Sequence, residues 1–369
     1  MAKGKLMGEM KGLLRISGAI DLSQFWPDGT SDADTATVVV NTDGFEFSPD
    51  ASPQAFRRTR VFEGAQLAKK NVIKSGRTVT VRIQGIDAPE LHCPPGVHKP
   101  ASWSKKKKKT TTLKGNGGKF RQLQGETSAA GLAGDVGAKP QPKVVPCEIT
   151  TRINVPNDAF DMFGRLIGDI SFRIGGKTIS IAHLAAINGW ALPAYYNSMN
   201  PEEILTLQTL FEQARKKKRG IWPHFERIVG QLDLLKFRHG GAFGKKEQQA
   251  DRGPFVVPKI YRRQLRYSVL QQNGLAPKTF KDYLAGKPLK GETKQGTKDA
   301  WTTRAAILAN PTMKKPTKAP NDSLAALINT KNAFPTGTGI SQPGDIVFFE
   351  QPSTLKKKGG APITGWTFV

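Results

Sequence analysis

Residues 81–90, Val-Arg-Ile-Gln-Gly-Ile-Asp-Ala-Pro-Glu, restrict the fold more than any other stretch of this chain. Val79, Val81 and Ile83 alternate with Thr80, Arg82 and Gln84, the period-two pattern of a strand with one buried face, so Arg82 is expected to point away from the core. Ala88-Pro89 stops the ladder, because proline has no N–H to donate and disfavours helical geometry in the residue before it. Asp87 and Glu90 are therefore expected on a stiff turn just past the strand end. Two carboxylates beside an outward arginine suit a hard cation and a phosphate together, and equally a strand-end salt bridge.

The whole chain is strongly basic. Its 56 Lys+Arg against 30 Asp+Glu give a formal net charge of +26, which points to a polyanionic partner; DNA or RNA is the commonest, since neutralising phosphates releases counterions without any sequence preference. No apolar run approaches the roughly 18 residues needed to span a bilayer, and residues 1–10 lack the hydrophobic centre of a signal peptide. A cytoplasmic protein is expected, or one exported by a route without a classical signal peptide. Cys93 and Cys147 show no close pairing of the CxxC kind, so no zinc site or disulfide framework is suggested, and a single bridge between them stays open.

Along the chain, strands are expected at 13–22, 37–40, 45–47 and 143–153, with a further strand opened by Arg165 after a turn at Gly164 and a hairpin at Gly175-Gly176. Ser31-Asp32-Ala33-Asp34-Thr35 is a short acidic turn feeding the second of these strands. Helices are expected near 125–132, 182–187 and 200–219, the last with Asn200 as cap, Pro201 at the first position and Ile204, Leu207, Phe211 and Ala214 as its buried stripe. Residues 94–124 hold Lys105, Lys106, Lys107, Lys108 and Lys109 among prolines, threonines and glycines, a composition expected to form a mobile basic loop. Beyond a boundary at 229–252, basic helical residues 259–273 with Arg262, Arg263 and Arg266, short helices at 279–284 and 322–328, and a strand at 345–350 carry no chemical motif.

Taken in order, the acidic turn Asp-Ala-Asp-Thr, the decapeptide, and Asp-Met-Phe-Gly-Arg-Leu at 161–166 resemble the signatures of the staphylococcal-nuclease-like (thermonuclease) family, over roughly residues 13–225. The resemblance implies an α+β, mainly β fold: a five-stranded OB-like barrel with packed helices. That domain would span 13–228 with insertions at 48–76 and 94–124, followed by a linker at 229–252 and a basic C-terminal region, 253–369, of mixed α/β content and unknown fold. It implies a Ca²⁺-dependent nuclease cutting DNA and possibly RNA with little sequence specificity. Asp34, Asp87 and the backbone carbonyl of Ala88 would hold the ion, and Asp32 would stand one step away from it. Glu90 would orient or deprotonate the attacking water, and Arg82 and Arg165 would grip the phosphate. Tyr195 falls near a nucleotide-contacting tyrosine of the family, while Phe163 stands where tyrosine is common and has no hydroxyl to offer. Lys105 to Lys109 would clamp the substrate strand.

General chemistry supports those roles. In-line attack on a phosphodiester builds negative charge on the phosphate oxygens, which a cation and fixed guanidinium groups stabilise in the transition state. Oxygen-only ligands suit a hard ion such as Ca²⁺. The competing expectation is a noncatalytic nucleic-acid-binding barrel, and a third, resting on charge alone, is a basic scaffold in which Arg82 and Arg165 lie far apart.

Overall fold

The alternation read at residues 78–83 becomes the central strand of a barrel. The structure is a computed structural model that describes residues 11–26, 32–42, 44–50, 56–59, 65–67, 70–71, 74–114, 120–161, 163–225, 238–239, 253–294, 300–311, 313, 342–349 and 356–357. Five strands, β1 (Gly12–Asp21), β2 (Thr35–Val40), β3 (Thr78–Ile83), β4 (Val144–Ile153) and β5 (Leu166–Ile174), pair in the order β1-β2-β3-β5-β4 and close through β4 back onto β1. Every pair is antiparallel except β3 with β5, which is parallel. This closed mixed barrel with flanking helices is consistent with the OB-like architecture expected. Inward residues of each strand, among them Leu14, Ile16, Val38, Val81, Ile83, Ile149, Leu166 and Ile170, fill the interior, and closure leaves no open edge along this ring.

The helices follow from local signals. Helix α1 (Lys105–Thr110) is capped by the Ser104 hydroxyl, which accepts from the Lys107 N–H at 3.1 Å. Helix α2 (Gly125–Asp135) crosses between β3 and β4, and α3 (Ile181–Asn188) follows the β5 hairpin. Helix α4 (Pro201–Lys216) has the expected cap: Asn200 and Glu203 each accept from the other's backbone N–H, at 2.7 and 3.0 Å. Its buried face is Ile204, Leu207, Gln208, Phe211 and Ala214.

One expectation meets a different structure. Residues 94–114, expected to be a mobile loop, are folded onto the C-terminal part of the chain: Asn273 Oδ1 accepts from the Lys114 N–H at 3.1 Å, and the Ser102 hydroxyl donates to Glu292 at 2.5 Å. Residues 253–294, expected behind a linker, pack against the same framework. Helix α5 (Pro258–Gln272) is anchored by Tyr261, whose hydroxyl donates to the Arg121 carbonyl at 2.6 Å, and the Gln122 amide donates to the Val256 carbonyl at 2.6 Å. The strand Ile346–Phe348 runs parallel to Leu192–Tyr196, which in turn pairs with Gly85–Asp87, so one small sheet joins the C-terminal region to the decapeptide. Cys93 and Cys147 are both free and buried. Apart from residues 238–239, which pair with 121–122, the expected linker lies outside the described residues, as does the helix at 322–328. Among the described residues, no helix is long and apolar enough to cross a membrane.

Gly85 makes the site possible. Its φ of +82° lifts the chain out of β3 into Gly85–Asp87, and a Cβ there would stand 2.4 Å from Leu207 Cδ1. Gly85→Ala is expected to cost about 2 to 4 kcal/mol, combining left-handed strain with overpacking, as read from the urea midpoint at unchanged slope.

Candidate functional site

The acids and arginines of the decapeptide converge at one end of the barrel. Register places Thr35 opposite Arg82, and the Asp34 carbonyl accepts from the Ile83 N–H at 2.8 Å, so the acidic turn is fixed at the end of β3 by the sheet itself. Arg82 leaves the outer face of β3 and forms ion pairs with Asp34 and with Asp87, the latter at 2.7 Å. Its second nitrogen also donates to the Ile86 carbonyl at 3.2 Å. The Ala88 N–H donates to Asp34 at 2.7 Å, joining the turn after the decapeptide to the turn before β2. Glu90 is held through its backbone: its carbonyl accepts from the Gln122 N–H at 2.7 Å, and the Leu91 N–H beside it donates to Asp32 at 3.0 Å.

Arg262 completes the cluster, at a destination that no local pattern foretells. From α5 it pairs with Glu90 and, at 3.3 Å, with Asp87. A basic helix was legible at 259–273, yet a stripe of arginines says nothing about which carboxylates it will meet 172 residues away.

Asp32, Asp34, Asp87 and Glu90 thus bring four carboxyl groups to two guanidinium groups. Burial pushes the Asp34 carboxyl up, but the adjoining Arg82 guanidinium outweighs it and the group lies below the usual carboxylate range. Burial raises Glu90, Arg262 offsets part of the rise, and the nearby charges of Asp87 and Asp34 leave it above its ordinary value. Asp32 is raised further by burial and by repulsion from Glu90 and Asp34. Arg82 and Arg262 are held charged by these same acids.

The donors of this cluster are oxygens only, the chemistry a hard divalent cation takes. Among the described residues, no group of three or more His, Cys, Asp or Glu side chains is gathered in a ligating arrangement, since each acid here is turned onto a guanidinium or an amide. An ion would take the place of one of those partners.

The remaining expected residues lie elsewhere on the same framework. Arg165 is not brought to the acids: its Nε pairs with Asp161 at 2.7 Å, and Asp161 also accepts from the Phe163 and Arg165 N–H groups at 2.9 Å each. Its strand nevertheless lies beside β3, with Ile167 opposite Arg82, so Arg165, two residues earlier, shares the outer face. The wide separation expected of a mere scaffold is absent. Phe163 is exposed, with the Arg165 guanidinium 5.6 Å from its ring centre. Tyr195 departs from its expected role: it is fully buried between α4 and Ile346–Phe348, and its hydroxyl donates to Gln208 at 3.0 Å, so no part of the ring is open to a nucleotide. Lys105 to Lys109 lie on α1, which buries none of its residues; Lys107 rests 4.7 Å from the Trp103 ring centre. No protein-family model matches this chain, and no curated protein matches it.

Proposed function

We propose that the chain is a Ca²⁺-dependent nuclease of the staphylococcal-nuclease-like kind, hydrolysing phosphodiester bonds of DNA and RNA with little sequence specificity. The observation that carries this reading is the meeting of Asp34, Asp87 and Glu90 with Arg82 and Arg262 at one end of the barrel. Arg82 and Arg262 offer planar forks that bind phosphate oxygens by paired hydrogen bonds and stay charged at any working pH. Glu90, its carboxyl raised by burial, is suited to take a proton from an attacking water. Asp34, Asp87 and the Ala88 carbonyl would hold Ca²⁺, which when bound supplies positive charge to the phosphate oxygens. Arg165, on the same face and paired with Asp161 among the described residues, is available to the strand beyond the acids.

The alternative, a noncatalytic nucleic-acid-binding barrel, draws on the ion pair between Arg262 and Glu90, which engages the intended base. Incubating the full chain with labelled single-stranded DNA and RNA separates the two. Both strands are expected to be cut in Ca²⁺, cutting to stop in EDTA, and restored Ca²⁺ to revive it. Binding without turnover under every divalent cation tried would select the noncatalytic barrel.

A further inference from the structure

Helix α5 carries more positive charge than the acid cluster uses. Lys259, Arg262, Arg263 and Arg266 stand three, four and seven residues apart from the first, which places them on one stripe of the helix. The other side is fixed in the core by Ile260, Tyr261 and Leu265. The stripe therefore has a set orientation: Lys259 lies 3.6 Å from the Phe348 ring centre, and Arg262 ends on Asp87 and Glu90.

Arg266 sits one turn further along. It is half-buried, and among the described residues no carboxylate lies in ion-pair range and no hydrogen-bond acceptor meets its guanidinium. Its surroundings are cationic. Burial and the charges of Arg263 and Arg262 push Arg266 down, with Tyr283 and Cys93 acting the other way. Burial, Arg266 and Arg263 likewise lower the half-buried His98. A partly desolvated guanidinium without an anion costs free energy, and an arriving anion relieves that cost.

We propose that Arg266, with Arg263 and His98 beside it, forms a second phosphate subsite that takes the phosphodiester next to the one held at Arg82 and Arg262 in a bound nucleic-acid strand. This rests on the nuclease reading only for the occupant of the first position. Residues four apart on a helix have Cβ atoms about 5–6 Å apart, so Arg262 and Arg266 can serve neighbouring phosphates of one extended strand. Arginine suits the task, since its fork binds a phosphate through two parallel hydrogen bonds.

Arg266→Gln and Arg266→Lys in the full chain test this by fluorescence anisotropy in EDTA, where binding is read without cleavage. The probes are a single-stranded DNA octanucleotide and a dinucleotide with one phosphodiester, each over a salt series. Arg266→Gln is expected to weaken the octanucleotide about tenfold and lower the salt slope by about 0.7, while dinucleotide binding holds. Arg266→Lys should keep the wild-type slope, because the charge remains, yet bind the octanucleotide several-fold more weakly, because the fork is lost; it decides the matter if the glutamine variant does not fold. Unchanged octanucleotide affinity and slope in Arg266→Gln, equal losses on both probes, or a reduced slope in Arg266→Lys would overturn the subsite. A wild-type chain that never cleaves but binds the octanucleotide through Arg266 removes the nuclease reading and keeps the subsite. Cleavage with Arg266-independent binding does the opposite.

Discussion

Glu90→Gln is expected to lower cleavage of single-stranded DNA by about 10²- to 10⁴-fold while leaving the bound strand in place. The substitution keeps the shape of the side chain and an oxygen for Arg262, so the local fold has no reason to change. It removes the carboxylate that would accept a proton from water. One negative charge also leaves a cluster where four carboxyl groups meet two guanidinium groups, so affinity for a polyanion should hold or rise. The signature is therefore a fall in kcat with KM unchanged or lower. Wild-type turnover in this variant would take Glu90 out of the chemistry.

Arg82→Met is expected to cost about 3–5 kcal/mol of stability, because it strips the cation from Asp34 and Asp87, each 3% exposed or less. Urea denaturation of the full chain reads the loss, and Asp34→Asn in the same variant should return part of it by removing an uncompensated charge. The pH dependence has a definite sign. With Arg82 present the folded Asp34 carboxyl lies below its unfolded value of about 3.9, so its contribution is complete above that pH and fades as pH falls through the folded value. Without Arg82, burial meets the Ala88 N–H and the charge of Arg262 as opposing influences, and protonating Asp34 relieves the variant. The gap between wild type and Arg82→Met should thus narrow toward acid. A gap that widens below pH 4 would show that the buried pair is not its source.

What the sequence makes legible here is what short-range physics decides. The alternation at residues 78–83, the stop at Ala88-Pro89 and the cap at Asn200 depend on neighbours within a few positions, and each reappears in the fold. The destinations of long side chains do not. Arg262 reads as one more charge on a basic helix, because its partners Asp87 and Glu90 are reached only through the packing of α5. Tyr195 fails for a related cause: Leu192–Tyr196 is an apolar strand covered on one edge by Ile346–Phe348 and on one face by α4, and neither cover is visible locally. The composition at 94–124 argues that such a segment cannot order by itself. Residues 94–114 are ordered in company, through Asn273 and Glu292 from the C-terminal part.

The sheet that joins Gly85–Asp87 to Ile346–Phe348 ties the timing of the site to the making of the chain. Asp34, Asp87 and Glu90 leave the ribosome at least 172 residues before Arg262, and the supporting strand follows later still. Over that interval the barrel's acids have Arg82 for company but neither Arg262 nor the strand beyond it. Assembly of the complete cluster thus waits for both later segments, so a nascent chain beside the messenger and ribosomal RNA carries these acids before it carries the full site.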